Sequence, residues 1–201
     1  YQDYVLTHGE NPKTVYAFCK ALKIEEAEFY QHFADFNQIS AAFWTDIFKE
    51  NIAKLENSPE WTEFTVREKL LSFYFSFFEK IKSHRSYAVA SFGSKAFGLH
   101  HEMQDMHELK KAFKLWVSEM IAEGKVSGEI ASRSRLSDKY DALYWNQFMF
   151  LMDFWRKDKS AGLERTDEAI EKAVNLSFDL IEKNALDSAF DFGKFMMQNF
   201  R

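Results

Sequence analysis

Residues that interrupt helices are scarce in this sequence, which has two prolines and seven glycines among 201 residues. The alternation of β-branched and polar residues that is typical of strands is also rare. Phenylalanine, in contrast, occurs 22 times, and apolar residues recur at helical spacing along most of the chain. The sequence therefore predicts an all-α protein whose core is built largely from aromatic rings.

A single cysteine, Cys19, excludes an internal disulfide bond and predicts a reducing, cytoplasmic location. We expect this side chain to be a small buried apolar group. No apolar run reaches the length of a membrane-spanning helix, so we expect no integral membrane contact. The net charge of −5 argues against binding of nucleic acid by the bulk of the protein.

Signatures of enzyme sites are missing as well. The sequence has no glycine-rich phosphate loop and no nucleophile elbow, and we predict that the protein is not an enzyme and has no cofactor. Metal ligands are suggested only in the segment 100–108, where His101 and Asp105 lie four residues apart. A catalytic zinc site normally has three protein ligands, and no third is obvious here. We therefore predict a polar loop that leads into a helix, and no metal.

The segment 13–33 has the layout of a helix-turn-helix. An apolar helix is predicted from Val15 to Leu22, a tight break follows at Lys23, and a second short helix ends in the aromatic cluster from Phe29 to Phe33. This layout is one by which proteins place a recognition helix in a DNA groove.

The cluster Phe29-Tyr30-Gln31-His32-Phe33 resembles the L-Y-x-H-F end of the DNA-binding domain in the TetR family of one-component bacterial regulators. The resemblance implies a TetR-like all-α fold, with a three-helix helix-turn-helix domain at residues 1–50. Residues 51–201 would form a larger helical domain for ligand binding and dimerisation. The residues that would contact phosphates or bases are Lys13, Thr14, Lys23, Tyr30, Gln31 and His32.

The charges of the predicted recognition helix are unusual for a DNA reader. Glu25 and Glu28 stand where the family usually has serine or threonine, and Glu26 lies between them. Residues 1–50 contain four basic and eight acidic residues, a net charge of −4. Because affinity for phosphates comes largely from lysine and arginine, DNA is a possible but disfavoured partner. The family has a full helix before Tyr1, so we expect the first helix to be truncated here, and some positive charge can lie upstream.

Two late helices are predicted at residues 138–155 and 166–182, the second capped by Thr166. Both have apolar stripes that are wide for a surface helix. The resemblance implies a four-helix bundle between two copies, and the alternative is ordinary packing within one chain. We predict a homodimer whose interface contains Phe154, Ile170, Val174, Phe178 and Ile181.

Aromatic and methionine side chains of the larger domain suit either a packed core or a cavity for a hydrophobic ligand. The candidate pocket residues are Phe73, Phe77, Phe92, Phe113, Trp116, Trp145, Phe148, Met149 and Met152. Two functions follow from the resemblance. One is a regulator that senses a small hydrophobic ligand, and the other is a TetR-like protein that no longer binds DNA and serves as a lipid-binding or protein-partner module.

Overall fold

The computed structural model of the chain describes residues 1–92, 106–130 and 140–181. Within these ranges the chain forms nine α-helices and no strand, which confirms the prediction of an all-α protein. The helices are α1 (Gln2–His8), α2 (Val15–Leu22), α3 (Glu26–His32), α4 (Phe36–Glu56), α5 (Val66–Lys82), α6 (Arg85–Phe92), α7 (His107–Ser127), α8 (Tyr140–Lys157) and α9 (Glu164–Ile181). Short 3₁₀ turns, Pro59–Thr62 and Ala161–Leu163, precede α5 and α9.

The chain packs as two compact units. The first contains Tyr1–Lys54 and Ser76–Ala112, and the second contains Leu55–Phe75 and Phe113–Arg201. Within the first unit, α6 packs with the N-terminal helices, and the predicted functional boundary at residue 50 stays a prediction. The ring of Tyr87 on α6 lies 4.8 Å from the ring of Phe43, centroid to centroid.

The start of the first unit has a small aromatic core. Phe18, Cys19 and Phe29 are buried, and the rings of Phe18 and Phe29 meet edge to face at 6.3 Å. Partly buried side chains surround them, namely Tyr1, Tyr4, Val15, Ile24, Phe33, Phe36 and Ile39. Cys19 is a free, buried thiol, as expected.

The second unit has a larger core of stacked and tilted rings. Phe113 stacks on Phe148 at 5.0 Å, and Phe73 lies 4.6 Å from Trp116. Three side chains of α9 with no exposed surface complete this core, namely Ile170, Val174 and Phe178. The apolar area removed from water by such rings is the main source of folding free energy.

The N-terminus of α5 is fixed by a carboxylate from the segment that follows α7. The two Glu129 carboxylate oxygens accept hydrogen bonds from the backbone N–H groups of Val66 and Arg67, at 2.8 and 3.0 Å. These N–H donors have no partner within the helix, so the carboxylate satisfies their hydrogen bonds. Its negative charge also interacts favourably with the positive end of the helix dipole. This segment packs closely against α7 at Gly124, because a Cβ atom at that position would lie 2.8 Å from the Ile130 side chain.

The start of α9 is capped by Asp158. Its carboxylate accepts hydrogen bonds from the backbone N–H and the hydroxyl of Thr166, at 2.9 and 2.7 Å. The prediction that Thr166 caps this helix is therefore wrong, because Thr166 lies inside a helix that begins at Glu164. The turn before α9 contains Gly162 with a φ of 64° and Leu163 with a φ of 69°.

Candidate functional site

The predicted helix-turn-helix is formed by α2, a tight turn and α3. The Thr14 hydroxyl oxygen accepts from the Ala17 N–H at 3.1 Å and so caps α2. Lys23 ends this helix in the left-handed region, with a φ of 59°, and the Ile24 N–H returns to the Cys19 carbonyl at 3.0 Å. The backbone therefore turns within a few residues, and α3 begins at Glu26.

All six residues predicted to contact DNA are exposed. Two of them precede α2, one is the turn residue, and three form the last turn of α3: these are Lys13, Thr14, Lys23, Tyr30, Gln31 and His32. Tyr30 exposes 54% of its surface, while its neighbour Phe29 is buried in the core. Helix α3 thus has one buried face and one exposed face, and the exposed face leaves these side chains accessible to a partner.

Acidic side chains crowd the beginning of α3. Glu25, Glu26 and Glu28 are all exposed. Burial raises the pKa of the Cys19 thiol, and the negative charges of these three carboxylates raise it further. A thiol held protonated is a poor nucleophile, which fits a structural role for Cys19. The same negative field opposes the approach of a phosphate backbone.

Five of the predicted pocket residues are aromatic rings of the second unit that pack against one another. In the second unit, Phe73, Phe113 and Phe148 are fully buried, and Trp145 lies 5.6 Å from Phe148. Trp116 and Met152 are also buried, whereas Met149 is half-buried. Phe77 and Phe92 belong to the first unit, where both are buried. Binding of a ligand among these residues stays a prediction.

A groove that the sequence did not predict lies between α8 and α9, with a volume of about 580 Å³. Two large apolar side chains are half-exposed at it, Phe150 at 51% and Leu176 at 60%. The lining residues are Leu143, Asn146, Gln147, Phe150, Phe154, Arg165, Glu168, Ala169, Lys172, Ala173, Leu176 and Ser177. Exposed apolar surface of this kind is a candidate site for a partner or a ligand.

Three of the residues predicted for a dimer interface are buried within the single chain, and their part in an interface stays a prediction. Ile170, Val174 and Phe178 are buried inside the single chain, and of the predicted set Phe154 lines the groove. The Ile181 side chain is outside the described residues. A second stripe, at Ala169, Ala173 and Leu176, runs beside the buried one. The groove-lining stripe of α9 was therefore visible in the sequence as apolar residues at helical spacing. It is less hydrophobic than the buried stripe because two of its members are alanines.

Gln147 crosses the floor of the groove. Its amide Nε2 donates to the Ala173 carbonyl on α9 at 2.5 Å, and its Oε1 accepts from the Tyr74 hydroxyl at 3.1 Å. Burial raises the pKa of Tyr74, so its phenol remains a donor at neutral pH. One amide thus fixes α8 against α9 and joins both to the buried end of the core.

A second cleft of about 420 Å³ continues from the groove at the α8–α9 turn. It is lined by Phe150, Asp153, Phe154, Lys157, Asp158, Lys159 and Arg165. Both carboxylates already have partners: Asp153 pairs with Arg156 at 2.6 Å and Lys157 at 2.5 Å. Burial opposes ionisation of Asp158, but hydrogen bonds from Ser160 and Thr166 outweigh it and lower its pKa to about 2. The cleft is thus lined by three cationic and two anionic side chains, a net charge of +1.

Among the described residues, no group of three His, Cys, Asp or Glu side chains is placed to hold a metal ion. His101 and Asp105, the pair weighed above, lie outside the described residues. In the same described ranges, every helix is too short or too polar to cross a membrane.

Comparison with known proteins gives one family. Residues 69–196, more than half of the chain, match the model of the family described as "Tetracyclin repressor-like, C-terminal domain". Searches of curated proteins and of solved structures gave no significant match. The matched range includes α8, α9 and the groove between them.

Proposed function

Because the chain belongs to the tetracycline repressor-like family, we propose that it is a cytoplasmic homodimeric regulator of the TetR type, and not an enzyme. In this proposal a small hydrophobic ligand binds the larger domain and alters the affinity of the helix-turn-helix for DNA. The observation that carries the proposal is the α2–turn–α3 geometry, which leaves all six candidate contact residues exposed in a chain that also contains the matched domain. We further propose that affinity for ordinary duplex DNA is weak, because the α3 carboxylates repel it.

The outer face of α8 and α9 is the proposed dimer contact. In the single chain the large apolar side chains of Phe150 and Leu176 are exposed to water on this face. A second copy packed there would cover them. Its small residues, Ala169 and Ala173, allow a second helix to come close. The homodimer stays a prediction, and we propose that its contact is the groove and not the buried stripe of α9.

A ligand would act through a coupling free energy between the core and the helix-turn-helix. The proposed ligand environment is the aromatic and methionine core of the second unit. Met149 and Met152 support it, since unbranched thioether side chains adapt to ligands of different shape. The ligand is tested by extracting the purified protein with organic solvent and identifying any bound apolar molecule by mass spectrometry. Protein that carries no such molecule and gains no thermal stability with octanoate would contradict the proposal.

The DNA-binding part is tested with three glutamates changed together, Glu25→Gln, Glu26→Gln and Glu28→Gln. Binding to duplex fragments from the gene's own upstream region is measured by fluorescence anisotropy over a salt series. We expect the triple variant to bind at least about tenfold more tightly than the wild type at low salt, because three phosphate-repelling charges are gone.

A matched control removes three exposed carboxylates of the same unit outside α3, by Asp3→Asn, Glu10→Gln and Asp46→Asn. We expect it to gain much less affinity than the α3 variant. Nanomolar binding by the wild type at moderate salt would show that the acidic helix does not weaken binding. The proposed regulator function would then be supported, and the proposed weak affinity for duplex DNA would be wrong.

A second candidate function is a TetR-like module that binds a lipid or a partner protein and has lost DNA binding. The acidic α3 favours it, since the three exposed glutamates lie where a DNA reader needs neutral or basic side chains. Absence of DNA binding by both the wild type and the triple glutamine variant, at low salt, would favour this function over the regulator.

The dimer is tested by Phe150→Glu, which places a charge at the centre of the apolar groove. We expect sedimentation velocity to show a loss of dimer by at least about tenfold in Kd, since an unpaired charge is costly at an apolar contact. Leu115→Glu is the matched control, because Leu115 on α7 is 63% exposed and outside the groove. Equal dimerisation of both variants and the wild type would contradict this interface.

A further inference from the structure

Helix α4 has two polar groups of unusual character on its buried face. Trp44 has no exposed surface, and Ser40, one helical turn earlier, is 5% exposed. Within the described residues, neither the indole Nε1–H of Trp44 nor the hydroxyl of Ser40 has a hydrogen-bond partner. Buried polar groups are nearly always hydrogen-bonded, and a buried group without a partner costs free energy. Two such groups on one helix face therefore indicate a site for a hydrogen-bonding molecule.

The surroundings of these two groups are aromatic and uncharged. The ring of Phe43 lies 5.0 Å from the Trp44 ring, and the ring of Phe92 on α6 lies 6.3 Å from it, both edge to face. The five buried side chains of α4 carry no charge. An ionised ligand group would lack a counter-charge on this face, whereas a neutral oxygen atom can accept from both donors. The chemistry thus favours an uncharged, largely apolar molecule with a carbonyl oxygen.

We propose that Ser40 and Trp44 form a ligand site in the first unit, at which a carbonyl oxygen accepts hydrogen bonds from the Trp44 indole N–H and the Ser40 hydroxyl. Residues four apart on a helix are neighbours on its surface, so one small polar group can lie against both. The residues that form this site all belong to the first unit. The site is therefore separate from the aromatic core of the second unit and goes beyond the ligand environment proposed above.

The site adjoins the core of the helix-turn-helix. Phe36 and Ile39, at the start of α4, pack against the buried core residues of α2 and α3. Ser40 follows Ile39 directly, so the turn of α4 that packs on this core also holds the bound molecule. We expect an occupied site to slow hydrogen exchange in the first two turns of α4.

The test uses two probes that differ in a single group. Acetophenone has a carbonyl oxygen on an apolar, aromatic body, and α-methylstyrene has the same shape with a methylene group in place of the oxygen. Binding to the full chain is followed by the proton–nitrogen NMR resonances of the tryptophan indole groups. We expect acetophenone to shift the Trp44 resonance and to bind at least about tenfold more tightly than α-methylstyrene, because only acetophenone accepts these hydrogen bonds.

The five tryptophans of the chain report on the two units separately. Trp44 belongs to the first unit, and Trp61, Trp116, Trp145 and Trp155 belong to the second. The Trp44 resonance is assigned by its disappearance in Trp44→Phe. A probe that binds at the proposed site should therefore be distinguished from one that binds in the core of the second unit.

Ser40→Ala and Trp44→Phe each remove one of the two donors. We expect each to raise the Kd for acetophenone at least about fivefold, and Ser40→Ala to leave the Kd for α-methylstyrene within about twofold. Without a probe, Ser40→Ala should be at least as stable to heat as the wild type, since it removes a buried group that has no partner. Thr45→Val is the matched control on α4. The Thr45 hydroxyl already donates to the Ala41 carbonyl at 2.8 Å, so this variant should bind acetophenone like the wild type.

The outcomes separate this site from the ligand proposed for the second unit. Equal affinity for the two probes, or a Trp44 resonance that acetophenone leaves unshifted, would overturn the site. If only the indole resonances of the second unit respond, this site is wrong and the ligand of the second unit stands. If Trp44 responds while solvent extraction yields no apolar molecule, this site stands without that ligand. Equal binding of acetophenone by the wild type and Ser40→Ala would overturn the pairing of the two donors.

Discussion

The helix-turn-helix and α8 differ sharply in how much of their surface is buried. The three-helix start of the chain rests on Phe18, Cys19 and Phe29, whereas α8 alone buries eight residues. Both regions nevertheless expose large apolar side chains, Tyr30 in the first and Phe150 in the second. The comparison shows that the buried face of each helix holds it in the fold. The exposed face is not needed for that packing and is available for contact with a partner.

The difference also concerns charge. The exposed face of α3 is acidic at its start, whereas the exposed face of α8 and α9 is apolar in the middle with charges at its ends. Neither arrangement is required by the packing behind it, since the buried side chains of both regions are mostly uncharged rings and aliphatic groups, with Asp153 of α8 as an exception. We therefore expect partner binding to depend on these surfaces and stability to depend on the cores, and stability measurements on matched buried and exposed residues test that separation.

The largest effect is expected from Phe148→Ala on α8. This ring is fully buried against Phe113, so its removal leaves a cavity and should lower the free energy of unfolding by about 3–5 kcal/mol. Phe150→Ala, two residues away and 51% exposed, should cost less than about 1 kcal/mol under conditions where the chain is monomeric. Urea unfolding followed by circular dichroism measures both. Equal losses would mean that the groove face is part of the core.

A smaller and more local effect is expected from Phe29→Ala on α3. Its ring is one of three buried side chains in this region, and its loss should cost about 3 kcal/mol, chiefly by opening α2 and α3. Hydrogen exchange with mass spectrometry should show faster exchange in α2 and α3 and unchanged exchange in α8 and α9. Tyr30→Ala is the control, since Tyr30 is 54% exposed. Uniformly faster exchange throughout the chain would argue against a locally stabilised helix-turn-helix.

The Asp158 cap is expected to contribute about 1–2 kcal/mol. Asp158→Asn keeps the size of the side chain but weakens its bonds to Ser160 and Thr166, and Glu171→Gln on the same α9 is the control. The pKa of Asp158 is lowered from 3.8 to about 2, so its contribution is present above pH 4 and is lost as the pH falls toward 2.

The wild type and Asp158→Asn should therefore differ in unfolding free energy at pH 7 and converge near pH 2. Urea titrations at several pH values provide this comparison. A difference that stays constant over the whole range would assign the effect to packing and not to the ionised carboxylate.

The smallest effect is expected from Gly162→Ala in the α8–α9 turn. Gly162 has a φ of 64°, a conformation that costs a residue with a side chain about 1 kcal/mol. No crowding adds to this, because the nearest atom to a Cβ there would be 3.9 Å away, in the Glu164 side chain. Ala161→Gly, at the exposed neighbouring position, should change stability by at most about 0.5 kcal/mol. Thermal unfolding that shows no loss for Gly162→Ala would mean that the turn relaxes to another backbone.

Short-range patterns predicted much of the fold. The bounds of α2 at Val15 and Leu22 agree with the predicted helix, because an apolar stripe and a left-handed residue at Lys23 are local features. The predicted helix at residues 138–155 lies close to the observed α8, Tyr140–Lys157. The cap of α9 was missed because Asp158 reaches its target from the end of the preceding helix, across a turn that sequence spacing does not define.

The site was harder to predict for a different reason. A helix with one wide apolar face does not reveal which part of it meets its own chain and which part meets a partner. Ile170 and Ala169 are adjacent in sequence, yet the first is fully buried and the second lines the groove. The choice depends on the position of α8 relative to α9, which is a tertiary property. Charge, in contrast, could be read directly, since the α3 glutamates are exposed as expected.

The double hydrogen bond of Gln147 has a mechanical consequence. The amide connects the Tyr74 hydroxyl in the interior to the Ala173 carbonyl at the groove, so it behaves as a strut between inside and outside. Two groups that share one partner are not energetically independent. We therefore expect a displacement of Tyr74 to disturb the Gln147 contact with Ala173 as well, and with it the spacing of α8 and α9 at the groove.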